Sequence, residues 1–143
     1  MKVSNIVICL VLLQAICGCQ ENIQNSLETK IKSDVEIANS NLPKYPSLKE
    51  EIQRPAFDKF ADSIKVKYDD KNSYEIEKNE SVTSPYTGKV QYQITLNIHG
   101  NEINMKPIKA LYVYKNSRWE FKEAMISYEY GRIRSLDVSP LFQ

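Results

Sequence analysis

Val90-Gln91-Tyr92-Gln93-Ile94-Thr95-Leu96-Asn97-Ile98 decides the fold. Val90, Tyr92, Ile94, Leu96 and Ile98 recur at every second position, with Gln91, Gln93, Thr95 and Asn97 between them. Successive side chains of a strand point to opposite faces. One face of this strand therefore meets a core and the other meets water, as in an antiparallel sheet. Upstream, Ile64, Val66 and Tyr68 alternate with lysines, Asp69-Asp70-Lys71-Asn72 reads as a turn, and Tyr74 and Ile76 alternate with Glu75 and Glu77. Ser84-Pro85-Tyr86-Thr87-Gly88 leads into the long strand. Downstream, Gly100 and Asn101 tolerate positive φ and mark a turn. Ile108 to Tyr114 is apolar on both faces, which predicts an interior strand, and Lys115-Asn116-Ser117-Arg118 turns the chain back. Trp119 and Phe121 hold one phase while Ala124, Ile126, Tyr128 and Tyr130 hold the other. That slip of one residue predicts a β-bulge near Lys122-Glu123, and Gly131 ends the strand.

Helical signals come before the strands. Ser47 followed by Glu50 has capping-box spacing, with Leu48 and Ile52 on one face. Pro55 interrupts this pattern, and Phe57, Phe60, Ala61 and Ile64 continue it as a second short or kinked helix. Gln20 to Pro46 is polar and reads as a tether. Within it Leu27, Ile31 and Val35 recur every four residues, Asn25 with Glu28 could cap, and Lys30–Asp34 and Lys32–Glu36 have i,i+4 spacing. These features predict a short helix inside the tether. The expected fold class is α+β, an N-terminal helix packed on a curved antiparallel sheet. Over the last two-thirds of the chain the order of elements resembles the cystatin-like and NTF2-like rolls found in small bacterial lipoproteins. The expected layout is a leader over 1–18, a tether over 19–46, the α+β domain over 47–131 and an extended tail over 132–143.

The chain opens with Met1-Lys2 and the apolar run Ile6 to Leu13, followed by Gln14-Ala15-Ile16-Cys17-Gly18-Cys19. A permanent membrane-crossing helix needs about 20 apolar residues. The shorter run suits the central region of a secretory signal peptide. Ile16-Cys17-Gly18-Cys19 resembles the lipobox of bacterial lipoprotein precursors, with Ile16 at the aliphatic place, Gly18 before the cut and Cys19 as acceptor. Cys17 departs from the usual Ala, Ser or Thr. The resemblance implies a diacylglyceryl group on the Cys19 thiol, cleavage between Gly18 and Cys19, and attachment to a membrane of the bacterial envelope. Gln20 after the cysteine, rather than Asp, implies the outer membrane in a cell that has one. The competing reading is ordinary cleavage at Ala15-Ile16-Cys17, which releases a soluble protein.

Nineteen basic and eighteen acidic residues balance, so net charge makes no case for nucleic acid as a partner. Cys9, Cys17 and Cys19 are the only cysteines, so a domain lipidated at Cys19 has neither free thiol nor disulfide. Candidate chemistry is sparse. His99 is the single histidine and falls in a predicted turn, with no cysteine or nucleophile-elbow sequence to pair with it. Asp69-Asp70 and Glu75/Glu77 read as solvated surface. Asp69 to Asn72 lacks the glycine and terminal glutamate of a calcium loop. No catalytic residue, metal ligand or cofactor is assigned.

Nine tyrosines and one tryptophan remain. Trp119, Tyr128 and Tyr112 are expected in the core, whereas Tyr114 with Arg118 is the expected interaction patch, since such residues enrich interfaces. The expected function is a lipid-anchored, non-enzymatic binding or accessory domain with an envelope protein as partner. The alternative is an NTF2-like module for a small ligand or reaction. It requires a cone-shaped pocket between helix and sheet with an ionisable group pointing inward.

Overall fold

A computed structural model describes the backbone of residues 4–54, 61–70, 73–130 and 132–143. The long strand is its spine. β3 (Tyr86–Ile98) pairs antiparallel with four partners: β1 (Ser63–Lys67), β2 (Tyr74–Lys78), β4 (Asn101–Asn104) and β5 (Ile108–Lys115). β2 and β1 follow one another along one edge, while β5 and β4 follow one another along the other. β6 (Arg118–Tyr130) pairs with β5 and β7 (Arg132–Asp137) with β6, completing a seven-stranded antiparallel sheet. Val90, Tyr92, Ile94, Leu96 and Ile98 are all buried on one face, as their alternation predicts. β5 is interior, between β3 and β6. The bulge is present: Leu111 faces Glu123 and Tyr112 faces Phe121, so Lys122 has no partner across the ladder. This shift turns Phe121 and Ala124 to the same face, where the core lies.

The helices differ from the sequence reading. α1 runs unbroken from Ser4 to Asn41, through the segment expected as a tether and through Asn25 and Glu28, so no helix begins there. Leu27, Ile31, Asp34, Ala38 and Leu42 are buried, a stripe at helical spacing that lies on the sheet. Residues from Leu27 onward thus belong to the packed domain, and the domain starts well before residue 47. From Glu21 to Asn41 the other faces of α1 are exposed or half-exposed, and the acidic Asp34 interrupts the stripe, which gives the segment its polar composition. A 3-10 turn (Leu42–Lys44) leads to α2 (Pro46–Gln53). Tyr45 rather than Ser47 occupies the N-cap, without a side-chain cap bond, and Pro46 takes the first turn, where its missing N–H costs nothing. Ile52 is buried as expected. The expected second helix, with Phe57 and Phe60, lies outside the described residues.

The C-terminal segment is likewise part of the core rather than an extended tail. After β7, a 3-10 helix (Ser139–Phe142) folds back so that Val138, Leu141 and Phe142 are buried. Phe142 stacks on Phe121 at 5.4 Å and packs against Tyr92 at 5.0 Å. The Asn41 amide at the end of α1 donates to the carbonyls of Leu141 and Gln143. Asn39 does the same for the sheet edge: its amide donates to the Val66 carbonyl at 2.8 Å and accepts from the Val66 N–H at 2.9 Å. α1 therefore satisfies backbone groups of an edge strand that has no strand neighbour there.

Gly88 sets how closely α1 approaches the sheet. A Cβ there would sit 3.1 Å from Leu27 Cδ2 and 3.2 Å from Trp119 Cζ3. Both neighbours are buried and confined. Gly88→Ala should therefore cost about 1 kcal/mol by overpacking, read as a lowered denaturation midpoint. An unchanged midpoint would show that the helix has room to rise.

Candidate functional site

The most concentrated polar chemistry lies beneath α1, at Asp34, which the sequence offered only as a partner in an i,i+4 pair. Asp34 has no exposed surface. Its Oδ1 accepts from Lys30 Nζ at 2.6 Å, one helical turn earlier, and its Oδ2 accepts from the Tyr112 hydroxyl at 2.7 Å. Tyr112 in turn shares a 2.5 Å hydrogen bond with the Tyr92 hydroxyl. Tyr112 and Tyr92 are brought together by adjacent strands β5 and β3, and both are fully buried. Burial, together with the neighbouring Asp34 and Tyr92 oxygens, pushes the Tyr112 hydroxyl far above the usual tyrosine value. Burial also raises that of Tyr92, opposed by its bond to Tyr112.

This arrangement holds the helix in register more readily than it performs a reaction. Both oxygens of Asp34 are occupied, and both phenols stay protonated at neutral pH. Asp34 is buried while the Lys30 side chain is 32% exposed, so removing the carboxylate chiefly deprives the buried Tyr112 hydroxyl of its charged acceptor. Asp34→Ala should lose about 3 kcal/mol of stability, and Tyr112→Phe less. Their double-mutant cycle, measured by urea unfolding, should show a clear coupling energy. Strict additivity would remove the link between the two residues. The i,i+4 spacing of Lys30 and Asp34 was visible in the sequence. That Asp34 faces inward was not, since the neighbouring apolar positions were read as a short helix in a tether.

A smaller relative of this cluster holds the next stretch of α1. The Tyr74 hydroxyl on β2 donates to Glu28 Oε1 at 2.6 Å. That bond lowers the Glu28 carboxyl, while burial first and then Glu28 push Tyr74 up to about 12.

The expected interaction residues lie together at one end of the sheet. Lys115 and Arg118 are paired across the β5–β6 hairpin, next to the Tyr114–Trp119 pair. Arg118 is exposed and bonds Glu120 at 3.5 Å. Tyr114 is half-buried, edge-on to Tyr86 at 6.0 Å and to Trp119 at 5.2 Å. Trp119 is buried and donates its indole N–H to the Ile23 carbonyl at 3.1 Å. Asn116 and Ser117 adopt φ of 51° and 61°, which keeps this hairpin turn tight. His99 lies at the opposite end of β3, its side chain 85% exposed and 3.9 Å from Asp62. Asp69, Asp70 and Glu75 are exposed, and Glu77 pairs with Lys89.

Clefts open to solvent are lined by described residues in at least two places. One of about 490 Å³ lies on the outer face of the sheet, where Glu75, Lys89, Lys109 and Glu123 surround Leu111 and Met125. Another, about 410 Å³, runs between Tyr45, Leu48 and Pro140 beside α2. Beneath the helix, Tyr92, Tyr112, Phe121 and Phe142 pack ring against ring around the Asp34 cluster. Among the described residues no group of three or more His, Cys, Asp and Glu side chains is placed to hold a metal. No helix among them is long and apolar enough to cross a membrane. In comparisons with known proteins, no family model, curated protein or solved structure matches this chain.

Proposed function

We propose that this chain is a lipid-anchored protein of the bacterial envelope, held by a lipid on Cys19, whose folded part is a non-enzymatic binding or accessory domain. The observation that carries the reading is the order of residues at the start: a short apolar run after Lys2, then Ile16-Cys17-Gly18-Cys19. Two fatty chains or more hold a protein far more firmly than one, at about 0.8 kcal/mol per buried methylene. The packing of the domain supports a binding role. Tyr92, Tyr112, Phe121 and Phe142 pack ring against ring on the sheet face that α1 covers, where the pocket of an NTF2-like module would open. The buried Asp34 is the inward ionisable group that such a module needs, yet Lys30 and Tyr112 already occupy its oxygens. A ligand would have to displace those partners.

Detergent phase separation tests the anchor, and a pull-down from solubilised envelope tests the role. Wild-type protein should enter the detergent phase and Cys19→Ser should stay in the aqueous phase. A protein partner should be recovered with the lipidated form. Equal partitioning of the two forms would defeat the anchor.

A further inference from the structure

The packed body begins very close to Cys19. Ile23 is already fastened to the sheet through the Trp119 indole, and Leu27 lies against Gly88. Cys19 and Ile23 are in the same helix, four residues apart, which is about 6 Å along its axis. A lipid on Cys19 therefore leaves no slack, and the end of the sheet nearest Ile23 must face the bilayer. Across that end runs a single row of paired residues: Lys78 with Tyr86, Tyr86 with Tyr114, and Tyr114 with Trp119. Two connections project beyond the row. One is the β5–β6 turn, whose tip lies two residues past Trp119, about 7 Å. The other is the β2–β3 loop. The Asn79 N–H donates to the Pro85 carbonyl, and its side-chain amide donates to the Ser84 carbonyl and the Thr87 hydroxyl. At the tip of this braced loop Val82 is 94% exposed.

We infer that this end of the domain docks on the lipid headgroup layer, with Val82 seated at the interface and Lys115 and Arg118 among the headgroups. The inference rests on the lipid-anchor reading. Glu21, Glu80 and Glu120 share this end with Lys78, Lys115, Arg118 and Lys122, so charge there is nearly balanced. Orientation comes from the short rigid span and the single exposed valine at the loop tip, and anionic lipid is not required.

The test uses the full lipidated protein in vesicles of phosphatidylcholine, with and without phosphatidylglycerol. The lipidated mature chain holds no other free thiol, so Val82→Cys and, at the opposite end, Glu102→Cys each take one environment-sensitive fluorophore. Nitroxide-bearing lipid should remove most of the emission at position 82 and little at position 102, in both vesicle types. Protein that floats with the vesicles but shows equal quenching at both positions would overturn docking and leave the anchor standing. Quenching at position 82 only with phosphatidylglycerol would overturn the claim that orientation is independent of charge. Protein that fails to float with vesicles would overturn the anchor and docking together.

Discussion

Removing residues 138–143 should leave a chain that does not fold. The segment contributes Val138, Leu141 and Phe142, all buried. Large-to-small truncations in a core cost about 3 kcal/mol each for side chains of this size. Three together approach the whole stability of a typical domain, about 5–15 kcal/mol. Other partners are lost with them. The Asn41 amide would no longer find the Leu141 and Gln143 carbonyls, and the Ala124 N–H would lose the Ser139 hydroxyl. Phe121 and Tyr92 would each lose the ring of Phe142. Circular dichroism of the truncated chain should lack a cooperative thermal transition. Leu141→Ala serves as the milder companion, with a lowered but still cooperative midpoint. A truncated chain that melted cooperatively near the wild-type temperature would contradict the core as described.

The second large effect is alkaline. Tyr92 and Tyr112 are buried, and burial raises both above their ordinary value of 10.0. In the unfolded chain they ionise near that ordinary value, so above it the folded state holds protons that the unfolded state has released. Stability from a raised group is fully present below the unfolded pKa and is lost as pH climbs toward the folded one. Each such tyrosine removes about 1.4 kcal/mol per pH unit in that window, so the pair removes about 3 kcal/mol per unit. Tyr68, Tyr74 and Tyr128, pushed by burial to about 12, act in the same direction. They are more open to solvent, so their share is smaller. Urea midpoints should therefore fall steeply from pH 10 to pH 12, and Tyr92→Phe or Tyr112→Phe should each take about one proton out of the slope. A profile unchanged by either substitution would mean that the phenols reach water in the folded state.

The sheet was legible in the sequence because its rule is short-range. A period of two needs only neighbouring residues, and the slip between Phe121 and Ala124 was enough to locate the bulge. The first helix and the C-terminal segment were not legible, for the opposite reason. α1 shows the core one narrow stripe, with a carboxylate in its middle, and its partners are up to a hundred residues away in sequence. Pro140-Leu141-Phe142 is too short to show any period. Its burial depends on Tyr92 and Phe121, which lie on strands that the tertiary fold brings to it. Asp34 illustrates the same limit at the polar cluster. Its pairing with Lys30 is local, but its bond to Tyr112 exists only once the helix lies on the sheet. Tyr114 and Arg118 lie at a hairpin end, as the turn at Lys115-Asn116-Ser117-Arg118 indicated, while the contact that ties this end to α1, Trp119 to Ile23, joins two segments read as separate.

Intact mass and N-terminal analysis of the mature protein, isolated from envelope membranes, most directly tests the account. A polypeptide beginning at Cys19 and carrying a diacylglyceryl group on that residue is the result it predicts. A chain that keeps its leader, or one cut elsewhere with an unmodified Cys19, would contradict it.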